Sequence, residues 1–449
     1  MGNEAVCCTG KTLLAYWLLA KLSMAAESKL DQASKTQGHP LLVLQLIASS
    51  DASDAAVRQA AAVHFKNVVK LGWDVNRDDG TNGIEISQQD RATIKSHLVE
   101  LMCTVPHQIQ AQISEAISLI AAVDYPENWQ NLLPELVQQF HSPDLKVVAG
   151  VLKTANSIFK RFRYVDRSDD LYRVILYTLE RIQEPLLTLM VGTGKAVEAY
   201  ANDANQLIPR FDALRSICRI FYSVNYQDLP EYFEDHMAEW MGEFAKYLQY
   251  QNPLLVDDTE EVEPSPIDRL QAAIVENLAL YADKDEEPFL PFLPQFTTLV
   301  WNLLVSLTAY PKHDTLVVTS IKFLSSLVAK QMHRDIFKDQ ATLRQIVTRI
   351  VIPNLMIREA DEERFEDDPQ EFILTEVEGS DSESRRKCSQ DLLRAMCRQF
   401  EAETTSICSE HVGSMLAEFA ANNDKWAAKD AAVSHSFCMF SFFAVPWIF

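Results

Sequence analysis

The chain has 449 residues, 47% of them hydrophobic, only 12 glycines and a formal net charge of −22. A large core is within reach, which argues against global disorder, and the charge opposes nonspecific binding to nucleic-acid phosphates. Scarce glycine disfavours folds that spend it on tight turns and phosphate loops. The excess carboxylates suit basic partners and steer their approach.

Leu, Ala, Glu, Gln, Lys and Arg dominate, and these are good helix formers. The reading is all-α. Eight cysteines (Cys7, Cys8, Cys103, Cys218, Cys388, Cys397, Cys408 and Cys438) form no CxxC pair and no framework of spacings. That fits a reducing compartment.

The first apolar piece, TLLAYWLLAKL, is short and lacks a cleavage site, so it does not read as a signal peptide. No stretch reaches the roughly eighteen apolar residues of a membrane span, and the expectation is a soluble intracellular protein. GKT at Gly10–Thr12 resembles a P-loop ending, but Ala5 stands where the motif needs a glycine. MGNEAVCC has Val6 where a myristoylation start wants Ser or Thr. His64, within AAAVHFKNVV, reads as a packed or capping histidine.

Further along, helical stripes recur with period 3.6. Val148, Val151, Leu152, Ala155, Phe159 and Phe162 form one. Leu207, Phe211, Leu214, Cys218 and Phe221 form another, and Leu270, Ile274, Leu278 and Tyr281 a third. Short polar breaks separate them: HSPD (141–144), NYQDLP (225–230) and DKDEEP (283–288). Asp or Ser before a helix accepts its free N–H groups, and Pro is tolerated in the first turn. Read break to break, helix pairs run about 40–60 residues, near the HEAT period. Stacked pairs make an α-α superhelix, a HEAT-repeat solenoid, with a long concave surface.

GTGK (192–195) lacks the third glycine and the upstream strand of a nucleotide site. The histidines make no metal-ligand spacing. Asp257, Asp258, Glu260, Glu261 and Glu263 lack the spaced loop of an EF-hand and read as solvated loop. No nucleophile elbow is present. The reading is no enzyme, no metal and no cofactor.

From Arg358 to Leu374 the chain reads READEERFEDDPQEFIL, with eight acids: Glu359, Asp361, Glu362, Glu363, Glu366, Asp367, Asp368 and Glu371. It lies between a helix ending near Ile352–Met356 and one carrying Arg385, Arg386, Leu392, Leu393, Met396 and Phe400. The expectation is a long insertion loop, about 357–382, of the kind that is functional or disordered. Phe365 and Phe372 argue for partial docking. Arg385, Arg386 and Lys387 follow and offer it ion pairs.

Several stretches together resemble the importin-β superfamily of nuclear transport receptors. AAAVHFKNVVKLGW (60–73) resembles its second-repeat signature, and DYPENWQNLLPELVQQF (124–140) its fourth-repeat opening. FYSVNYQDLPEYFEDHM (221–237), LPQFTTLVWNLLVS (293–306) and the stretch 360–400 narrow the resemblance to the exportin-2 family, over about Ala26 to Val433. Phe65, Trp73, Trp129, Trp240 and Trp301 read as core anchors. Lys66, Asn67 and Lys70 are polar within an apolar helix and suit a concave face. The resemblance implies that second helices near 26–37, 54–73 and 106–122 bind Ran in its GTP form. Lys66, Asn67, Lys70, Gln110 and Ser114 are the contact candidates. It further implies importin-α as cargo, nucleoporins as partners, and shuttling between nucleus and cytoplasm through the nuclear pore. The acidic insertion would touch Ran and help to couple it to cargo.

The implied domains are a divergent segment 1–25, importin N-terminal-type repeats 26–123, further HEAT repeats 124–433 and a hydrophobic tail 434–449. The segment 1–25 replaces the expected first helix. The tail SHSFCMFSFFAVPWIF does not continue the helix pattern and suggests a truncated, alternatively spliced or read-through product. Three alternatives stay open: another import or export receptor, a Ran-independent HEAT scaffold, and an interfering fragment.

Overall fold

Each of the three stripes folds as the buried edge of one helix. Val148 to Phe162, Leu207 to Phe221 and Leu270 to Tyr281 are all at most 4% exposed. The computed structural model describes residue 36 and residues 38–49, 55–74, 85–256, 263–284, 287–374 and 384–440, the last four by backbone alone. GKT, MGNEAVCC, the tail beyond 440 and Asp257 to Glu261 lie outside these residues.

The described elements are helical, in successive pairs. In the first compact unit, which ends at Ile182, the pairs are α1 (His39–Ala48) with α2 (Ala55–Gly72), α3 (Gln88–Thr104) with α4 (His107–Asp124), and α5 (Leu132–Gln138) with α6 (Leu145–Lys160). The second unit starts at Gln183, inside α7 (Asp169–Ala199). Its pairs continue with α8 (Ala204–Asn225), α9 (Met237–Leu248) with α10 (Pro266–Lys284), and α11 (Leu293–Ser306) with α12 (Asp314–Val328). Next come α13 (Gln340–Ile346), extended through Leu355 by a π-turn at Val347–Val351, the short helices α14 (Glu359–Asp367) and α15 (Pro369–Ile373), and α16 (Arg385–Gln399). The last pair is α17 (Glu401–Ala421) with α18 (Trp426–Phe440).

Second helices stack on second helices. In the first unit α4 packs between α2 and α6. In the second, α8, α10, α12, α16 and α18 pack in chain order. Phe221 of α8 shows how such a layer is filled: its ring lies 4.4 Å from Trp240, 4.9 Å from Phe233 and 6.1 Å from Tyr281 of α10. Trp73, Trp129 and Trp240 are buried anchors. Trp301 is only half-buried, because the inward edge of α11 is Leu293, Phe296, Val300 and Leu304.

The last four carbonyls of a helix lack internal partners, and its C-terminus carries partial negative charge. Here the following second helix supplies the donor. Arg161, after α6, donates to Ala121 O at 2.7 Å and Tyr125 O at 3.2 Å, beyond α4. Lys284, ending α10, donates to the carbonyls of Asn225, Tyr226 and Gln227 at the end of α8. Lys330, after α12, donates to Ala282 O at 2.8 Å in α10. Gln399, ending α16, donates to Ala329 O at 2.8 Å after α12. The break NYQDLP is thus tied by a lysine from the next repeat. HSPD ends as expected, with Asp144 Oδ1 accepting from Lys146 N at 2.8 Å.

GTGK, already rejected as a nucleotide site, lies inside α7, where no loop exists to hold a phosphate. Two expectations change. Glu287–Ser306 is 20 residues at mean hydropathy 1.2, so one stretch does pass a length-and-composition test for a span; its inward edge packs on α9, α10 and α12. The helix starting at Trp426 runs on through Ser434 to Phe440, since extending a formed helix costs far less than starting one.

That last pair carries a polar defect. His435 is 0% exposed, and among the described residues neither ring nitrogen has a hydrogen-bond partner. Burial, with His411 of α17 adding to it, pushes its pKa down to about 4. Also near is Arg386 of α16, which donates to Asp430 at 2.8 Å and Ser434 at 3.3 Å.

Lys284→Met is expected to speed amide exchange at the end of α8, not within α10 where Lys284 sits, at a cost of about 1–2 kcal/mol. A buried neutral histidine stabilises fully above its unfolded pKa and loses this as pH falls. Between pH 6.5 and 4 the α17–α18 pair should therefore weaken by on the order of 3 kcal/mol. Exchange measured at pH 7 and 5 checks this, and His435→Leu should flatten the difference.

Candidate partner-binding surface

The FKNVVKLGW signature divides cleanly between two faces. Phe65, Val69 and Trp73 step by four and are buried. Lys66 is half-buried, and Asn67 and Lys70 are exposed, beside exposed Val63 and Leu71. α2 is fixed to α1 by Arg58 Nε donating to Ile47 O at 2.9 Å and by a 2.9 Å hydrogen bond between the Nε2 atoms of His39 and His64. His64 is therefore a packing histidine. Arg91 stacks over Trp73 at 5.1 Å. The 26–37 helix lies outside the described residues except for Thr36.

Gln110 is a correction. It is buried, and its Nε2 donates to Met102 O at 3.2 Å and Lys146 O at 3.5 Å. It joins α4 to α3 and α6 instead of facing a partner. Ser114 is half-buried and its carbonyl accepts from Ser118 Oγ at 3.0 Å. The exposed face of α4 carries Ala111, Glu115 and Ala122. The signal was present in the sequence: Ile109, Ile113, Ile117 and Ile120 set the inward phase, and Glu115 lies opposite.

The acidic stretch is not a loop. Glu359–Asp367 and Pro369–Ile373 are helices joined at Asp368, whose Oδ1 accepts from Glu371 N at 2.9 Å. Glu359, Asp361 and Glu362 fall in the first turn of α14, where carboxylates are favoured. Phe365 and Phe372 meet each other edge to face at 5.6 Å, Phe365 remaining 46% exposed. So the rings hold the hairpin together. Residues 375–383 lie outside the described set.

The eight acids do two different jobs. Glu359, Glu362, Glu363, Glu366, Asp367, Asp368 and Glu371 are exposed. Asp361 is buried and accepts from Arg358 Nε at 2.8 Å and Nη2 at 2.9 Å. Burial alone would raise the Asp361 pKa, but the hydrogen bonds and charge of Arg358 hold it below the usual carboxylate range.

Two of the basic trio pair elsewhere. Arg385 is buried and lies 2.6 Å from Asp314 of α12. Arg386 pairs with Asp430 at 2.8 Å. The backbone N–H of Lys387 donates to the N-cap Ser384 at 3.1 Å.

Two family profiles match this chain: the importin-beta N-terminal domain over residues 26–104 and Cse1 over residues 158–441. The chain belongs to the Cse1 family. Exportin-2 of Pagrus major and exportin-2 of Homo sapiens are each 42% identical over 409 residues, which is 91% of this chain and 42% of theirs. A solved structure described as the exportin Cse1 in its cargo-free, cytoplasmic state matches with TM-score 0.87 and 34% identity, over 95% of this chain and 46% of that one. An importin-β structure, 16% identical with TM-score 0.59, shares the fold. The Cse1-family fold here is thus the all-α HEAT-repeat solenoid, in a chain that spans under half the length of its curated relatives.

For the Cse1-family chain, Gly150 tests the reassignment of Gln110. A Cβ on Gly150 would lie 2.3 Å from Gln110 Nε2. Gly150→Ala should displace Gln110 and strip its two carbonyls, costing about 1–3 kcal/mol in urea unfolding. Adding Gln110→Ala should remove the clash but not restore the lost bonds.

Proposed function

We propose that the chain is the N-terminal part of a nuclear transport receptor that carries importin-α from nucleus to cytoplasm in a Ran-GTP-dependent complex. The observation that carries this is the order of the two family matches along one chain, an importin-β N-terminal domain followed by Cse1. The geometry supports it. α2 offers Lys66, Asn67 and Lys70 from one helix, and the α14–α15 hairpin offers seven exposed carboxylates to a basic surface.

The mechanism needs no chemistry from the chain. Stacked repeats share their interfaces, so opening them costs free energy that one partner alone does not offset. Two partners that favour the same opened form then raise each other's affinity by the same factor. Hydrolysis of GTP on Ran removes one contribution and the other partner leaves. Nucleoporin contact and shuttling through the pore belong to the same reading.

The test is retention of Ran-GTP and Ran-GDP on the purified chain, each with and without importin-α. Ran-GTP should be retained over Ran-GDP, and importin-α should increase it. Lys66→Glu with Lys70→Glu should weaken Ran-GTP binding about tenfold. A folded, monodisperse sample that retains neither form of Ran overturns the reading in favour of a Ran-independent scaffold.

A further inference from the structure

We propose that Asp314 pins the neck of the acidic excursion, so that the start of second helix α12 sets where the α14–α15 hairpin points. The excursion leaves the repeat at Arg358 and returns at Arg385, and both arginines grip this one carboxylate. Arg358 Nη1 donates to Asp314 Oδ1 at 2.7 Å, and Nη2 to Oδ2 at 3.2 Å. Arg385 Nε lies 2.6 Å from the same Oδ1.

The remaining donors are also committed. Arg358 holds Asp361 with Nε and Nη2 and gives Nη1 to Ala309 O at 3.0 Å. Arg385 donates to Thr308 O at 3.1 Å and Tyr310 O at 2.9 Å. Side-chain exposure is 16% for Arg358, 6% for Arg385 and 8% for Asp361, against 39% for Asp314. Two cations therefore sit side by side, largely out of water, and tolerate each other because the Asp314 and Asp361 carboxylates lie against them.

Arg358 binds two carboxylates at once through its planar fork, which a lysine ammonium cannot do. Asp361 is simultaneously the third residue of α14, and its Oδ2 accepts from Arg358 N at 3.1 Å. The clasp thus fixes both the root and the first turn of the acidic helix. Arg358, Asp314, Asp361 and Arg385 are positioning residues, and the seven exposed acids are presented on a rigid arm. That this arm serves partner binding rests on the function proposed above.

The test is hydrogen exchange on the full chain, without partners, for Asp314→Asn, Arg358→Lys and the control Arg394→Lys, which alters an exposed pair with Asp391. Asp314→Asn and Arg358→Lys should each raise exchange over 359–374 about tenfold or more, with α4 and α6 unchanged. The control should do nothing. Adding Arg385→Met to Asp314→Asn should return part of the protection by removing one stranded cation. Unchanged exchange over 359–374, or an equal rise throughout the second unit, overturns the pin. Ran-GTP retention by the wild-type chain, measured separately, decides the functional reading without reference to the clasp.

Discussion

The second helices α4, α10 and α12 are each buried between a predecessor and a successor, and the carbonyls at their ends are met by donors from the next repeat. Both requirements arise because a single helix pair cannot cover its own apolar stripe or cap its own end. Within each unit the stack meets them together. The stripe of α10 fills the space between α8 and α12, and Lys284 at its end reaches back to three carbonyls of α8. Lys330 then does the same for α10. Each repeat is completed by the next, so a disturbance in one is felt first by its neighbour.

The binding surface is what this burial leaves over. At α2 the inward edge uses Phe65, Val69 and Trp73, and Asn67, Lys70 and Leu71 between them are released to solvent. Where two helices approach closely, even a polar position is consumed. Gly150 leaves room beside Gln110, whose amide then bonds to two backbone carbonyls. A buried amide with both bonds made is a structural joint, and losing it removes both bonds.

Charge is handled by sorting. A helix of close-set acids repels itself, and α14 survives because three of them sit in its favourable first turn and Asp361 is turned inward to Arg358. The other acids of the hairpin stay in water, where self-repulsion is screened. The same economy places Arg385 and Arg386 at the start of α16, paired with Asp314 and Asp430 in place of the acidic stretch they follow in sequence.

Period 3.6, scarce glycine and capped breaks determined the all-α class, the repeat length and nearly every anchor, because those depend on residues near in sequence. The ordered motifs determined the family for the same reason. Which polar residue is a joint and which a surface was decided by the tertiary structure. The phase of Ile109, Ile113, Ile117 and Ile120 separates Gln110 from Glu115, but only the approach of α6 through Gly150 makes Gln110 a joint. Trp301 looks like an anchor and is half-buried because its neighbours hold the inward phase. Asp361 is one acid of eight in the sequence. It becomes the one that holds the hairpin because Arg358, itself gripping Asp314 from a distant turn of chain, lies within reach. Such long-range pairing of charge has no local period, and only the fold brings its partners together.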